Sequence, residues 1–543
     1  MNNKRSRRVG RVFWLLAASL GASSVWAQAP TPAAAAPATV EVLSYRVVGN
    51  TLLDEKLVYG ALAAWRGRRT LEELRRAAEA VQRLYAEAGY GGVVAFLPPQ
   101  QGEPGTVTIR VLEGKISAVR VQGARFHSDD SVRAALPGLQ VGRTPRLRDI
   151  DSQIELANEN PSRRIQVLLR PGAQPGDVAA DLTVLDRAPQ SWSLSLDDTG
   201  NSRTGHYRAG LGWQHANVLG IDDVASLQYQ TSLTKPGQVS VFSAFYRHPL
   251  PAAAVVLDGY LAVSDVDGGS SATAAGNLRI NGRGQLAGVR ATWLLPRWRE
   301  VDHRLSLALD RRAYLNRCDI DGLGSQACGS AGSDVTVTPL SLDYALRGST
   351  PFSWTTTFTA LGNLKLGGGN ATAEDFAAQR PGARQGFGSL RLAATAEGSF
   401  AEGWQLRGRL ATQWTKQALV AGEEFGLGGA VSVRGYEERE LVGDKGLAFS
   451  LEVTGPEWLT RKTQDEGSLR PFGFVDAGAV ANNLDAPCKV DGGTRCSLSS
   501  AGLGLSFERQ RLQARLAAAV ALKDGPITRR GDTRAHFSAN LSF

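Results

Sequence analysis

Two short motifs hold the residues whose types and spacing could do chemistry. Val433-Arg434-Gly435-Tyr436 follows the glycine-rich run Phe425-Gly-Leu-Gly-Gly429, and Phe474-Val-Asp476-Ala-Gly478 comes later in the chain. At strand period Phe474, Asp476 and Gly478 share one face, while Val475 and Ala477 take the other. If Val475 faces lipid, Asp476 faces an enclosed lumen. A guanidinium can meet a carboxylate with two parallel hydrogen bonds, which fixes orientation as well as charge. Gly435 permits a tight turn beside the arginine, and Tyr436 can pack and hydrogen-bond against a wall. That chemistry fastens one segment to another. Taken alone, the motifs also fit a solvated loop cation and an ordinary pore-lining charge.

The remaining reactive side chains are sparse. Four cysteines fall in two close pairs, Cys318 with Cys328 and Cys488 with Cys496. In an exported chain such pairs are expected to form two local disulfides. Neither has the C-x₂-C spacing of common zinc sites and no histidine lies beside either, so no metal is expected. The six histidines are scattered. There is no H-E-x-x-H, no G-x-S-x-G and no Gly-rich Lys-Ser/Thr phosphate loop, so no catalytic residue, no cofactor and no enzyme activity are expected. Asp319-Ile-Asp321-Gly322 is a fragment of a calcium loop without the rest of its ligands, and reads as a solvated turn. Asp197-Asp198 reads as the start of a loop.

The elements that must position these residues begin after a leader. Lys4, Arg5, Arg7, Arg8 and Arg11 precede a short apolar run, Val12 to Leu20, and Val25-Trp26-Ala27 offers small residues for cleavage. Residues 1–27 therefore read as a signal peptide rather than a membrane anchor, the run being well short of the ~20 residues a spanning helix needs. The leader holds five basic and no acidic residues, so its removal takes the net charge from +9 to +4. The basic pI is then weak evidence for nucleic acid, and none is expected as a partner. Residues 28–40 are a Pro/Ala-rich linker.

A duplicated module follows. Tyr45-Arg-Val-Val-Gly49 resembles Val119-Arg-Val-Gln-Gly123. In the first copy, Thr70 and Glu73 form a capping box, and Leu71, Leu74, Ala78, Val81, Tyr85 and Ala88 share a helical face ended by Gly89. Strands are expected over 93–97 and 106–113. In the second copy, helices are expected over 129–136 and 147–158, and strands over 165–170 and 180–185. The order β-α-α-β-β, twice, gives two small α+β modules, 41–114 and 115–188.

From about Gln190 the helical period gives way to alternation. Ala535, Phe537, Ala539, Leu541 and Phe543 alternate with polar residues to the last position, a C-terminal barrel signal carried by Phe537, Leu541 and Phe543. Strands with one apolar and one polar face, sustained over 189–543, indicate a transmembrane β-barrel rather than a soluble sandwich. Walking back from the end gives strands near 534–543, 511–522, 500–509, 470–480, 446–454, 404–416, 388–399, 354–367, 336–346, 303–316, 284–295, 253–266, 238–247, 223–231, 206–217 and 190–197, about 16 in all. With short turns inside and long loops outside, both cysteine pairs and the connection near 417–445 fall outside the cell. The N-terminal modules and the C-terminus fall in the periplasm of a Gram-negative bacterium.

With Val433–Tyr436 on that connection and Phe474–Gly478 on the next upward strand, the sequence resembles the TpsB transporters of two-partner secretion, the haemolysin secretion/activation proteins. The resemblance covers essentially the whole chain after the leader. It implies two POTRA modules ahead of a 16-stranded outer-membrane barrel, and a sixth outer loop folded back into the lumen so that Arg434 meets Asp476. It further implies a secreted exoprotein of haemolysin, adhesin or contact-dependent toxin type, received unfolded by the POTRA modules and exported without ATP. Membrane lipid and, during biogenesis, the barrel-assembly machinery are implied as further partners. An assembly insertase of the same superfamily is the alternative, but those usually carry more modules. A plain porin would need neither the arm nor the paired motifs. There is one departure. Members often carry a pore-plugging helix ahead of the modules, and the short 28–40 segment, with Pro30, Pro32 and Pro37, has no room for one.

Overall fold

The computed structural model describes residues 38–100, 103–202, 204–273, 276–320, 332–459, 467–488 and 493–543. The leader and the linker up to residue 37 lie outside them.

The two modules repeat one topology. In the first, strand 106–113 lies between 44–48, to which it is parallel, and 93–96, to which it is antiparallel. In the second, strand 177–186 lies in the same way between 115–122 and 163–171. The first module adds a small ladder, 39–42 with 67–70, that the alternation of the sequence does not mark. Its long helix, Leu71–Glu87, starts at the expected capping box: Thr70 Oγ1 accepts from Glu73 N and Glu73 accepts from Thr70 N. Leu74, Ala77, Ala78, Val81 and Tyr85 are its buried face, packed on Val93, Val107, Ile109 and Val111. Burying each large aliphatic side chain contributes about 1.5–3 kcal/mol, so Ile109→Ala alone would cost about 2–5 kcal/mol.

Both modules also use the same clip. The first strand ends in a left-handed glycine, Gly49 (φ +93°) or Gly123 (φ +88°). A Cβ there would sit 2.3 Å from Val111 O or 2.4 Å from Val184 O, so only glycine fits. The chain beyond the turn is then held by the carboxylate that ends the central strand. Glu113 accepts from Thr51 N at 2.7 Å and Leu52 N at 3.0 Å. Asp186 accepts from Arg125 N, Phe126 N and His127 N at 2.7, 2.6 and 3.1 Å.

The barrel closes on itself with sixteen antiparallel strands. They run 190–197, 208–215, 224–232, 239–250, 255–273, 276–298, 301–320, 335–348, 353–363, 388–401, 404–414, 445–454, 468–481, 495–509, 512–521 and 533–542. The eighth is one strand interrupted at Thr338. Closure comes from the last strand against the first, Ser538–Ser542 with Asp197–Ser193, and Trp192 and Phe543 exchange backbone hydrogen bonds at 2.8 and 2.9 Å. Trp192, Leu194, Leu211, Leu257, Leu261, Leu307, Phe358, Leu447, Phe449, Val475 and Leu516 point outward as an exposed apolar belt, which a bilayer would cover. Their neighbours one position away face the lumen.

The second module is fastened to the rim at the end of the barrel where the short turns lie. Arg163 pairs with Asp222 at 2.5 Å, Asn160 Nδ2 donates to Ala216 O at 2.8 Å, and Arg247 reaches Glu159 at 3.2 Å. Arg304 meets both Glu155 and Glu159. Leu156 packs on Val256 and Leu294 within this polar ring.

Candidate functional site

The connection between the eleventh and twelfth strands, residues 415–444, does not stand out from the barrel. It folds inward. Residues 425–427 and 441–443 form a short hairpin that lies on the thirteenth strand. The turn beyond it needs Gly428 (φ +105°) and Gly429 (φ +98°). Gly478 leaves room for it on the wall, since a Cβ there would meet Leu427 at 2.6 Å.

The tip carries Arg434 into an enclosed pocket, where the residue is 4 % exposed. Arg434 Nε and Nη2 donate to the two oxygens of Asp476 at 2.7 and 2.8 Å, and its backbone N–H donates to the same carboxylate at 3.1 Å. Nη1 donates to Glu452 at 3.0 Å and Nη2 to Ser450 at 3.2 Å. The guanidinium lies 3.3 Å over the Phe474 ring. Arg515 approaches the other oxygen of Glu452 at 2.5 Å and lies 4.0 Å over Phe472. Two cations and two carboxylates therefore pair within one cluster. Removing one member of such a buried set costs about 3–5 kcal/mol, because it strands a charge in a low dielectric.

Phe472 and Phe474 are themselves seated by missing side chains. A Cβ on Gly502 would meet Phe474 at 2.4 Å, and one on Gly504 would meet Phe472 at 2.3 Å. The rings fill slots that these glycines of the fourteenth strand leave open.

Gly435 and Tyr436 complete the grip. Gly435 has φ +92°, and a Cβ would sit 3.3 Å from that of Ala519. Its N–H donates to His536 Nε2 at 2.9 Å, and His536 Nδ1 lies 2.9 Å from Asp198. An Nε2 that accepts places the ring proton on Nδ1, facing the carboxylate. Tyr436 is fully buried, with its hydroxyl 2.9 Å from Ser499 O and 2.8 Å from Lys523 O. Val433 is buried beside Leu427 and Leu441.

The structure thus brings Val433–Tyr436 together with Phe474, Asp476 and Gly478. Of the two disulfides expected from sequence, one is described. Cys488, in the loop after the thirteenth strand, is joined to Cys496, which stands at the start of the fourteenth strand rather than in the loop expected to hold both, with Cα atoms 6.1 Å apart. The other, between Cys318 and Cys328, is not among the described contacts: Cys318 falls at the end of the seventh strand, and Cys328 lies outside the described residues. Phe537 and Leu541 lie on the closing strand and Phe543 follows its end; Phe537 packs against Tyr207 at 5.7 Å, and Leu541 and Phe543 are exposed. Glu452, Ser450, Arg515, His536 and Asp198 were not singled out from sequence as members of the site. The signal that could have found Glu452 and Ser450 is their alternation with Leu447, Phe449 and Leu451, which puts them on the lumen face beside Asp476.

Ser162, His127 and Asp186 in the second module line up in the order of a hydrolase triad, with His127 Nδ1 2.8 Å from Asp186 and Nε2 3.3 Å from Ser162 Oγ. All three are buried, and Ser162 Oγ also lies 2.8 Å from Asn160 Oδ1, to which it donates. The row links the module to the residues that hold the barrel rim. Among the described residues no cluster of His, Cys, Asp or Glu is arranged to hold a metal ion.

Comparison with known proteins follows the same lines. A family model described as haemolysin secretion/activation protein ShlB/FhaC/HecB matches residues 178–507, and one described as POTRA domain, ShlB-type, matches residues 40–114. The chain is similar to the outer membrane transporter CdiB of Dickeya dadantii (strain 3937), with 25 % identity over 84 % of this chain and 78 % of that protein. It is also similar to the outer membrane transporter CdiB of Escherichia coli O6:K15:H31, with 26 % identity over 75 % of this chain and 67 % of that protein. The solved structure of CdiB from Escherichia coli shares the fold, with a TM-score of 0.79 at 20 % identity over 94 % of this chain and 92 % of that one.

Proposed function

The chain belongs to the haemolysin secretion/activation family, the outer-membrane transporters of two-partner secretion, and from that premise we propose how its own residues carry a client across. The two modules, 41–114 and 115–188, hang in the periplasm and receive an unfolded exoprotein. The barrel, 189–543, conducts it outward through the lumen. The C-terminus is periplasmic. Strand 163–171 pairs on one side only among the described residues, and such an edge accepts an extended segment through main-chain hydrogen bonds. Binding of this kind needs no fixed client fold, which suits a polypeptide in transit. Membrane lipid covers the outward belt, and the barrel-assembly machinery reads the terminal strand during biogenesis.

The observation that carries this reading is the grip of Asp476 and Glu452 on Arg434. It holds a long inward-folded loop in one position in a barrel whose lumen a client has to share. The working position of the loop depends on that grip. The test is export of the partner exoprotein in cells producing Arg434→Ala. A heat-modifiable barrel should still reach the outer membrane, while most secretion is lost. Secretion at the parent level would refute the role of the pair. Loss of the barrel itself would make the pair structural rather than functional.

A further inference from the structure

The inward-folded loop is held at a second place, away from Arg434. Near its start Glu423, 2 % exposed, accepts from Arg312 at 2.9 and 3.1 Å, from Arg391 at 3.1 Å and from the Tyr314 hydroxyl at 3.0 Å. Arg312 and Tyr314 stand on the seventh strand and Arg391 on the tenth. Near its end Asp444, fully buried, takes a two-pronged contact from Arg380 at 2.8 and 3.1 Å. Arg380 comes from the preceding loop, residues 364–387, and also holds Glu424 and, at 2.7 Å, Leu419 O. Asp444 further accepts from Leu419 N and Asn483 N, both at 2.7 Å. One carboxylate thus gathers three successive loops on the side of the barrel away from the modules.

The loop 364–387 is a packed element. Its helix, Ala373–Gln379, opens on a Thr372–Asp375 capping box and buries Phe376 completely. Phe376, Ala383 and Phe387 form one apolar cluster with Leu419 and Val420 of the long loop and with Val335, Val337 and Leu361 of the wall. Those wall residues face the lumen. Val337 is the strand partner of Arg312, Val335 of Tyr314 and Leu361 of Ser341. A conducting barrel lumen is normally polar and wet. Here Val335 and Val337 are 0 % exposed, so the loops cover this part of the wall. The hairpin and tip of the long loop cover another part, on the thirteenth to fifteenth strands, burying Val480, Leu498 and Ala519.

We propose that loop 364–387 is an outer gate over the lumen, latched by Arg380 to the base of the long loop, and that it has to part from that base for an exported chain to leave. The latch is separate from the Arg434–Asp476 grip, and it gives this chain a means of closure that needs no helix ahead of the modules. The proposal rests on the export reading above, and its test separates the two.

Purified full-length protein in planar lipid bilayers reads the gate without any client. Arg380→Ala and Phe376→Ala should each raise the open-channel fraction at least several-fold over the parent, with heat-modifiability kept. Arg380→Lys, which keeps the charge but loses the two-pronged contact, should fall between. In cells, Ala383→Cys with Ala418→Cys links gate to base, since these residues are strand-bridge partners and their Cα atoms lie within disulfide reach. Oxidation should stop exoprotein secretion and reduction restore it, with the single-cysteine variants and the parent unaffected by either treatment. Conductance at the parent level in both alanine variants, or normal secretion by the oxidised double variant, would overturn the gate. A parent that secretes nothing would count against the export reading, while the conductance measurement would still decide the gate.

Discussion

At the scale of single residues, the molecule relies on buried or half-buried carboxylates that collect N–H donors from segments far apart in sequence. Asp476, Asp444, Glu423, Glu113 and Asp186 all do so, and Asp186 makes a quantitative case. Burial alone would raise its pKa, but the N–H groups of Phe126, Arg125 and His127 and the His127 ring outweigh that and hold it at about 2. A carboxyl whose folded pKa is depressed adds stability above its unfolded pKa near 4 and loses it as pH falls toward 2. The contribution is about 2 kcal/mol. Asp186→Asn should therefore loosen the second module by about that much at pH 7, and the gap to the parent should close as pH falls from 4 to 2. Amide exchange of 177–186 in the full chain, corrected for intrinsic rates, would show it. An unchanged gap at low pH would mean the loss is steric. Arg434 and Asp476 were legible in the sequence because short motifs flank both. Glu423, Asp444 and Arg380 were not, because each is an ordinary charge in a loop and its partners come from other loops. Asp198, read from sequence as the start of a loop, turns out to hold His536 and, with Oδ1 3.0 Å away, Phe537 N.

At the scale of elements, period-2 alternation found all sixteen barrel strands, because lipid outside and polar lumen inside write the two faces onto the chain. It failed where that contrast ends. The fifth and sixth strands run to Thr273 and from Gly276, beyond the 253–266 and 284–295 read from sequence. The intervening stretch, Asp267-Gly-Gly-Ser-Ser, carries no apolar face. Likewise the seventh strand runs to Ile320, past the 303–316 read from sequence, so that Cys318 stands on a strand rather than in the loop that was expected to hold both it and Cys328. Ladder 39–42 with 67–70 escaped for a similar reason, since Gly67-Arg68-Arg69-Thr70 offers no apolar alternation. The helix of the outer gate has a capping box that could have been noticed, but it lies inside a stretch that strand counting passes over as loop. The disulfide loop leads to a different expectation. Closing so short a loop through Cys488–Cys496 stabilises that loop by about 2 kcal/mol, and little else. Cys488→Ala with Cys496→Ala should keep secretion at the parent level while making 482–494 cleavable by protease added to intact cells. Alanine is the right replacement because Cys496 lies against Val480 and Leu498. A fall in secretion would show that this loop takes part in transport.

At the scale of the whole molecule, the parts are joined end to end by polar contacts that are buried or half-buried. Arg163–Asp222 and the Arg304–Glu155/Glu159 cluster seat the second module on the rim, Arg434 holds the loop tip in the lumen, and Arg380 holds the mouth. Each contact is charge-assisted and geometrically specific, so each can be released as a unit rather than deformed gradually. Modules and barrel were legible from sequence because duplication and alternation are properties of long stretches. The docking of module on rim was not, because it rests on a handful of side chains that no period marks. The account stands on one claim, that a client passes through the lumen. A photo-crosslinking residue at Arg407, which lines the polar lumen near the rim with Glu397 and Arg470, should capture the exoprotein during export. The same residue at Leu406, one position along the strand and exposed on the outer face, should not. Capture at Arg407 alone is the result expected, and capture at Leu406 with none at Arg407 would contradict passage through the barrel.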